Sequence, residues 1–360
     1  MFQYKLFNMD STFIAVESIA ITDYHPFLIN FYTNTLTQND DSLTSSIESK
    51  FHKLLPQTII NFVNQPLIYN NINKTGTFVI EVFYINFLNS KVEFDKNANT
   101  FHLINENIDF LCVPSRDNST EKYSNIFKNL NQQLLLHNHS FIDVIRQWNY
   151  LPRICDINNN RKSEYSIFNS IRKDFYLRDK IKIFPAATGI GISGKIAQII
   201  VFSLKGNFIK YQIENNLQTS AYHYSENTIV SESKTKFATP MFSRGVILEV
   251  ENKKTFFLSG TASIRGEDTI GDDIIAQFNT TIENIKYLIS QENIEKQINK
   301  KYKLVKPNYL KIYIKDRNQL GLIQNKIQLA FPNCDYFIVE ADVCRSNLLL
   351  EIEGIFDIIE

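Results

Sequence analysis

The sequence predicts an α+β protein with two domains. A chain of 360 residues is long for a single compact core. Its last 120 residues carry strand-like and helix-like patterns in the order ββ, α, β, α, ββ, which implies helices packed on one face of a sheet. We therefore expect a larger N-terminal α+β domain over residues 1–230, a smaller α+β domain over residues 231–360, and an active site between them.

The N-terminal region contains two clear patterns. Residues 76–88 are rich in β-branched and aromatic side chains, which favours a buried strand. Residues 120–150 become helix-like after a polar start, because Ile126, Leu130 and Leu134 recur at helical spacing. We expect a strand and a helix here, whereas the rest of residues 1–145 has no comparable pattern.

Residues 181–213 favour β structure. The apolar runs 197–204 and 207–213 flank a turn that contains Gly206, so a hairpin is expected. Upstream, residues 189–194 formally match the GxGxxG motif. A dinucleotide site needs a helix directly after the glycines, because the pyrophosphate sits on the N-terminus of that helix. A strand pattern follows instead, and we interpret the motif as a glycine-rich turn between strands.

The elements of the C-terminal region follow in order. Residues 246–259 have the pattern of a strand, a polar turn and a second strand. A helix over 272–291 begins at Asp272 and Asp273, where the helix dipole favours acidic side chains. The remaining predictions are a strand at 308–315, a helix at 317–330, a strand at 336–345 and a closing strand at 348–359.

Composition excludes several classes of protein. Lysine plus arginine and aspartate plus glutamate number 38 each, so the formal charge is zero and the basic footprint of a nucleic-acid-binding protein is missing. No apolar run reaches the length of about 18 residues that a membrane span needs. The N-terminus lacks the basic and apolar runs of a signal peptide. We expect no nucleic-acid partner, no membrane association and a cytoplasmic location.

Cysteine and histidine spacing gives no metal motif. The four cysteines are scattered and form no CxxC pair, which argues against a disulfide framework and a zinc ribbon. They are Cys112, Cys155, Cys334 and Cys344. His137 and His139 could be a ligand pair, but two ligands do not make a metal site. We expect a solvated loop there and no metal.

Two glutamates interrupt the apolar closing strand. Strand alternation places Glu351 and Glu353 on one face and Leu350 and Ile352 on the other. A carboxyl inside such a run is partly desolvated, which raises its pKa and suits a general acid. An edge strand with a wet face fits the periodicity equally well. Arg345, just upstream, could bind a substrate carboxylate or pair with a glutamate.

The last 120 residues resemble the RidA (YjgF) family in the order and spacing of their motifs. These are residues 240–244 (PMFSR), 258–261 (LSGT), Gln277 with Thr280, Asn284 and Ile285, and 351–354 (EIEG). The resemblance implies a RidA/YjgF-like, chorismate-mutase-like C-terminal domain. The arginine with which the imine deaminases of that family hold a carboxylate falls near Tyr336 here, which argues against simple imine deamination.

The chain as a whole resembles the chorismatases, which are two-domain relatives of that fold. The matching segments span about residue 150 to the C-terminus: 148–153 (WNYLPR), Glu164-Tyr165, Phe168-Asn169, Arg172, 185–191 (PAATGIG), 220–224 (SAYHY), 242–244 (FSR), 259–264 (SGTASI), Cys344-Arg345 and 351–353 (EIE). Ser166 and Ile171 stand where the family usually has arginine and glycine, and the loop 225–239 is long. These departures bear on how a substrate would fit.

The resemblance implies a cofactor-free chorismatase, an enzyme that releases pyruvate from chorismate. Protonation of the terminal methylene carbon of the enolpyruvyl ether gives a stabilised oxocarbenium ion, and such general acid catalysis needs a neutral carboxylic acid. Glu351 matches the first closing glutamate of the family and would be that acid, with Glu353 as the less favoured alternative. The implied substrate-binding residues are Tyr165, Arg172, Tyr222, Arg244, Gly260, Thr261, Cys344 and Arg345.

The product and the alternatives follow from the same residues. Arg172 and Arg244 suit the two carboxylates of chorismate, because a guanidinium grips a carboxylate with two hydrogen bonds. Cys344 resembles the hydroxybenzoate-forming branch, which implies 3-hydroxybenzoate as the product. The alternatives are a diene-diol-forming chorismate hydrolase, a RidA-like imine deaminase and a non-catalytic aromatic-acid-binding protein. Chorismate is the implied partner, and the chain could be a monomer or a trimer.

Overall fold

The computed structural model describes residues 2–9, 25–33, 41–63, 65, 67–70, 78–85, 90–158, 162–225 and 239–359. The α-helices are α1 (Asp41–Leu54), α2 (Lys122–Leu136), α3 (Glu164–Arg178), α4 (Ile274–Leu288), α5 (Gln291–Ile298) and α6 (Leu320–Ala330). The strands are β1 (Phe2–Met9), β2 (His25–Thr33), β3 (Ile59–Val63), β4 (Leu67–Asn70), β5 (Phe78–Ile85), β6 (Lys91–Asp95), β7 (Thr100–Ile104), β8 (Ile108–Asp117), β9 (Val144–Pro152), β10 (Ala186–Ile192), β11 (Ala197–Gly206), β12 (Ile209–Ile213), β13 (Gly245–Val250), β14 (Lys253–Thr261), β15 (Ile264–Arg265), β16 (Asp268–Thr269), β17 (Leu304–Ile314), β18 (Asp335–Glu340) and β19 (Leu350–Ile359).

Three large sheets carry the fold, which confirms the predicted α+β class. Their strand orders are β1-β5-β2-β3, then β10-β9-β11-β8-β7-β6, and then β12-β13-β14-β19-β17-β18-β4. A short β15-β16 ribbon stands apart. One hydrophobic cluster runs from Phe27 through Trp148 and Phe257 to Ile355, so all three sheets share a core. Among the described residues, no helix is both long and apolar enough to cross a membrane.

The seven-stranded sheet draws strands from both ends of the chain. β12 pairs with β13 along one edge, and β4 pairs with β18 along the other. The sheet therefore contains residues 67–70 and 209–213 together with the C-terminal strands. The boundary near residue 230 falls beside residues 226–238, which lie outside the described part of the chain, as does most of the long 225–239 loop. The two-domain division stays a prediction.

The strand and the helix predicted for the N-terminal region are confirmed in part. The strand over 76–88 is β5 in its described residues, and it lies between β1 and β2. α2 buries Ile126, Leu130 and Leu134 as its spacing predicted. The expected helical run to residue 150 is wrong, because residues 144–152 form β9. All nine residues of β9 are buried, on both faces of the strand. Its sequence therefore lacks the alternation of polar and apolar residues that marks a half-exposed strand, and a buried helix could not be excluded from the pattern.

The predicted hairpin at Gly206 is also wrong. β11 pairs with β8 and β9, whereas β12 pairs with β13 in a different sheet. Gly206 adopts φ +111°, and a Cβ there would overlap the carbonyl oxygen of Asn107. This left-handed position turns the chain from one sheet into the next, which only glycine adopts readily. The interpretation of the GxGxxG segment as a turn between strands is correct only for its end: residues 189–192 are part of β10, the turn begins at residue 193, and strand β11 follows.

The C-terminal elements are largely as predicted. β13 and β14 form the expected hairpin, and Asp273 caps α4 by accepting hydrogen bonds from the Ile275 and Ala276 amides. α4 and α6 pack in one cluster on one face of the sheet. The strand predicted to reach residue 345 ends at Glu340, and the chain is then irregular up to β19. β19 lies between β14 and β17, so the interpretation of it as an edge strand with a wet face is wrong.

Candidate active site

A cavity opens where β10, at the edge of the six-stranded sheet, meets β14 and β19 of the seven-stranded sheet. The Ala187 amide donates to Ser259 Oγ (2.9 Å), and the Gly260 amide donates to Thr188 Oγ1 (3.1 Å), which joins the two sheets at this point. The cavity encloses about 640 Å³, including the open solvent at its mouth. Its lining residues are Tyr165, Arg172, Ala187, Gly189, Tyr224, Pro240, Phe242, Arg244, Gly260, Ala262, Ile264, Cys344, Arg345, Leu348 and Glu351.

Glu351 provides a protonated carboxyl group in this cavity. It lies on the central strand β19 and is 4% exposed. Burial, together with the negative charge of Glu353, raises its pKa to about 8, although Arg244 and Arg146 act in the opposite direction. At neutral pH the group is therefore mostly a neutral acid that can donate a proton. A Cβ at Gly260 would overlap the Glu351 carboxyl, so glycine is required where β14 passes this side chain.

Glu353 leaves the same face of β19 but has a different environment. Its carboxylate contacts five side chains: Arg146, Trp148 Nε1 (3.2 Å), Thr188, Lys311 Nζ (3.0 Å) and Tyr313 OH (2.9 Å). Burial by itself raises the pKa of Glu353, but the charges of Lys311 and Arg146 outweigh that effect and hold the pKa below its ordinary value. Glu353 is thus a fixed anion, and it does not line the cavity.

Lys311 extends this network into the four-stranded sheet. It is fully buried and lies 3.2 Å from Glu81 Oε1 on β5 as well as 3.0 Å from Glu353 Oε1. Glu81 also accepts hydrogen bonds from Asn30 Nδ2 (2.6 Å) and Tyr32 OH (2.8 Å). Each buried charge of this network therefore has an opposite partner, as low-dielectric surroundings require. The network fixes the strand that carries the candidate acid.

Three arginines line the cavity without an ion-pair partner among the described residues: Arg172, Arg244 and Arg345. Each has a buried guanidinium nitrogen that finds no hydrogen-bond partner in the described part of the chain. Arg172 lies on α3 and is 1% exposed, and burial lowers its pKa. Arg244 and Arg345 stack on the ring of Tyr224, at 5.5 and 5.4 Å from its centroid. The three guanidinium groups donate only to neutral acceptors, Asn169 Oδ1, Tyr224 OH and the Glu267 carbonyl among them, so they suit an anionic ligand that brings carboxylates.

α3 brings Tyr165 and Arg172 to the cavity together. The two residues are seven positions apart, which is two helical turns, so they share one face. Ser163 begins the helix by accepting a hydrogen bond from the Ser166 amide (3.1 Å). A Cβ at Gly189 would lie 3.1 Å from the Tyr165 ring, so this glycine lets the ring pack against β10. Tyr165 therefore forms a wall of the cavity.

Cys344 is a neutral thiol at the cavity. Burial, with the charge of Glu351, raises its pKa to about 12. A thiol with that pKa is not a nucleophile at neutral pH, because only the thiolate reacts. Cys344 can instead fill space beside the acid and donate a weak hydrogen bond.

Most of the residues expected from the sequence meet in one place. Glu351, Tyr165, Arg172, Arg244, Gly260, Cys344 and Arg345 all line the cavity. Two do not: the Tyr222 hydroxyl accepts a hydrogen bond from Gln212 Nε2 (2.9 Å), and Thr261 Oγ1 donates to the Ser259 carbonyl (2.9 Å). Both point elsewhere, and their roles in binding stay predictions.

Sequence reasoning missed several contributors. Tyr224 lines the cavity and lies two positions after Tyr222, in the same SAYHY segment. The segment indicated that a tyrosine would line the cavity. Because it is neither a regular helix nor a strand, its sequence does not show which of the two tyrosines points into the cavity. Arg146 and Lys311 were missed as well. Arg146 follows Val144-Ile145 on β9 and Lys311 lies between Leu310 and Ile312 on β17, and a cation beside buried apolar side chains signals a buried partner.

Comparisons with known proteins agree on one family. The family model described as "Chorismatase FkbO/Hyg5-like, N-terminal" matches residues 90–203. A protein named 3-hydroxybenzoate synthase from Streptomyces hygroscopicus is 32% identical over 230 residues, which cover 61% of this chain and 65% of that protein. A protein named chorismatase from Streptomyces rapamycinicus is 27% identical over 220 residues, which cover 59% of this chain and 63% of that protein. The matches thus span slightly less than two thirds of each relative.

A solved structure covers almost the whole fold. The crystal structure of a chorismatase superposes with a TM-score of 0.74 at 18% identity and covers 99% of this chain and 98% of its own. At that identity the likeness concerns the fold, which extends through both the six-stranded and the seven-stranded sheets. The family model, both named relatives and this crystal structure thus agree that the chain is similar to the chorismatases.

Proposed function

We propose that this chain is a chorismatase that releases pyruvate from chorismate, with Glu351 as the general acid. The observation that carries the proposal is a buried carboxyl group, protonated at neutral pH, in a cavity lined by three arginines without carboxylate partners among the described residues. Chorismate has two carboxylates and an acid-labile enolpyruvyl ether. The arginines of the cavity can bind the two carboxylates of such a ligand, and the acid can protonate its enolpyruvyl ether.

The chemistry divides between the acid and the arginines. Glu351 gives its proton to the terminal methylene carbon of the enolpyruvyl group, which becomes a methyl group while the adjacent carbon becomes an oxocarbenium ion. Such general acid catalysis contributes roughly 10²–10⁴-fold. Arg172, Arg244 and Arg345 bind the carboxylates of the substrate through bidentate hydrogen bonds. This binding positions the ether next to the carboxyl group of Glu351. Glu353, held as an anion, keeps the pKa of Glu351 high enough for it to retain its proton.

The proposed ring product is 3-hydroxybenzoate. One relative is named 3-hydroxybenzoate synthase, and Cys344 lies at the cavity as an un-ionised thiol. Pyruvate and 3-hydroxybenzoate together contain all the atoms of chorismate, so this branch consumes no water. A diene diol instead requires one water molecule. A C-terminal unit with the RidA-like arrangement is part of the same proposal, since α4 and α6 cover one face of the sheet that carries Glu351.

The test is a pyruvate assay with purified protein. We expect the wild-type chain to release pyruvate from chorismate, measured with coupled lactate dehydrogenase, and Glu351→Gln to release almost none. Asp357→Asn is the matched control, because Asp357 is an exposed carboxylate on the same strand, and it should keep full activity. Chromatography of the ring product identifies the branch.

Each outcome decides part of the proposal. A folded wild-type chain that releases no pyruvate would overturn the chorismatase function. Pyruvate release by Glu351→Gln at the wild-type rate would exclude Glu351 as the acid. Release of the diene diol without 3-hydroxybenzoate would refute the proposed product and leave the pyruvate chemistry intact.

A further inference from the structure

A second cluster of chemically active side chains lies in the six-stranded sheet, at residues outside the candidate active site. It contains three of the six histidines in the chain: His102 on β7, and His137 and His139 after α2. Asp109 on β8 completes it. The sequence predicted a solvated loop at His137 and His139, which is wrong for His139, since this residue is 1% exposed. None of these residues lines the cavity around Glu351.

The sheet register explains why these residues meet. His102 is the cross-strand partner of Leu111, and Ser203 on β11 is the partner of the same Leu111. Asp109 lies two positions before Leu111 and therefore on the same face of the sheet. On the other side, Glu93 on β6 is the direct partner of His102. Four neighbouring strands thus present polar side chains to one spot, and His139 covers it from the segment after α2.

Three ligand-type atoms converge at the centre of this cluster. His102 Nε2 lies 2.7 Å and His139 Nε2 lies 2.9 Å from the same atom, Asp109 Oδ1. All three atoms lie within 4.8 Å of one another. Ligands around a tetrahedral metal with bonds of about 2.0–2.1 Å are about 3.3 Å apart. The two distances to Asp109 Oδ1 are shorter than this spacing, so an ion would push the carboxylate away from both rings as it enters between them.

The other nitrogen of each imidazole faces an oxygen. His139 Nδ1 lies 2.8 Å from Ser203 Oγ, and His102 Nδ1 lies 3.6 Å from Glu93 Oε2. A histidine that binds a metal through Nε2 carries its proton on Nδ1, and that proton is normally donated to an oxygen that fixes the ring. Ser203 is within hydrogen-bond distance for that role, whereas Glu93, at 3.6 Å, has to move closer to His102 to fill it. Both rings are therefore oriented with Nε2 toward the centre.

We propose that His102, Asp109 and His139 bind a divalent transition-metal ion, with Zn²⁺ as the occupant. Two imidazole nitrogens and one carboxylate oxygen suit Zn²⁺, whereas Ca²⁺ and Mg²⁺ require mainly oxygen ligands. Water takes the fourth position, reached past the Asp109 side chain, which is 22% exposed. The ion ties β7 and β8 to the segment that leads into β9. Its role is structural, because none of the three ligands lines the candidate active site.

The test is metal binding by the full-length, untagged chain after chelator treatment and dialysis. We expect one Zn²⁺ per chain by elemental analysis, a Tm that rises with Zn²⁺ and returns to its original value on chelation, and the visible absorption of tetrahedral Co²⁺ when Co²⁺ is supplied instead. Asp109→Asn and His139→Gln should lose stoichiometric binding. Ser203→Ala keeps all three ligands and should weaken Zn²⁺ affinity by about 10- to 100-fold.

The controls separate this site from other effects. His25→Gln removes an exposed histidine at the start of β2 and should bind Zn²⁺ as the wild type does. Should Asp109→Asn or His139→Gln fail to fold, the wild-type Tm and the Ser203→Ala affinity still decide the question. A wild-type chain that binds no more Zn²⁺ than His139→Gln, or whose Tm does not respond to Zn²⁺ and chelator, would overturn the proposal.

Discussion

Glu351 and Glu353 leave the same face of β19 two positions apart, yet one is a neutral acid and the other a fixed anion. Burial and the charge of Glu353 raise the pKa of Glu351 to about 8. Lys311 and Arg146 hold the pKa of Glu353 below its ordinary value against the effect of burial. Two carboxyls whose environments separate their pKa values in this way have separate roles.

The first prediction concerns pH. Glu351 is protonated below its pKa of about 8 and loses its proton above it. If it is the acid, kcat/KM for pyruvate release should be level toward neutral pH and fall about tenfold per pH unit above pH 8, since this parameter reports the free enzyme. A pH–rate profile with chorismate measures it. Activity that stays level up to pH 10 would contradict the assignment.

The second prediction concerns Glu353→Gln. Loss of the neighbouring negative charge should lower the pKa of Glu351, so the alkaline limb of the pH–rate profile should move to lower pH. The change also leaves Arg146 and Lys311 with less compensation in a buried site, which should cost about 3–5 kcal/mol of unfolding free energy in urea titrations. Glu340→Gln, in an exposed pair with Arg317, is the control and should cost no more than about 1 kcal/mol. An alkaline limb at the wild-type pH would argue against the electrostatic effect of Glu353 on the pKa of Glu351.

The third prediction concerns Gly260→Ala. The new Cβ would overlap the carboxyl of Glu351 and displace it. A misplacement of about 1 Å can cost about 10²-fold in rate, so kcat should fall by that order while the protein stays folded. Gly321→Ala on α6 is the matched control, since a Cβ there meets nothing within 4 Å. Its activity should be unchanged and its stability higher by up to about 1 kcal/mol. Equal activity of both variants would exclude the steric argument.

The fourth prediction concerns Arg172→Met. Loss of a charged hydrogen bond worth about 1.5–3 kcal/mol should lower kcat/KM for chorismate by about 10- to 100-fold. The unfolding free energy should change little, because loss of the hydrogen bond to Asn169 Oδ1 (2.7 Å) is offset by removal of a buried charge that has no ion-pair partner among the described residues. Arg178→Met removes an exposed arginine from the same helix and should leave kcat/KM unchanged. A loss of stability with normal kinetics would indicate a structural role for Arg172.

Local signals carried most of what the sequence predicted. Helical spacing on α4 and strand alternation on β19 depend on neighbouring residues, so the pattern is complete within each segment. The segments around Arg172, Arg244 and Glu351 carry the family resemblance, and the fold brings these three residues to one cavity. The order of the C-terminal elements was predictable for the same reason.

Contacts between distant segments were not predictable in this way. Nothing near Lys311 in the sequence indicates that Glu81 and Glu353 flank it, because the three meet only when their strands assemble. The partners of β12 and β4 were missed for the same reason, since strand propensity says nothing about which sheet a strand joins. His102, Asp109 and His139 also come from separate elements, so their spacing in the chain gives no ligand motif.

The ion pair between Glu81 and Lys311 has a consequence for synthesis of the chain. The two residues are 230 positions apart, and a ribosome adds about 5–20 residues per second, so Glu81 is made roughly 10–50 s before its cation. During that interval the N-terminal sheet holds a carboxylate whose local partners are neutral, Asn30 and Tyr32. The core that the three sheets share is therefore completed only after β17 has been translated.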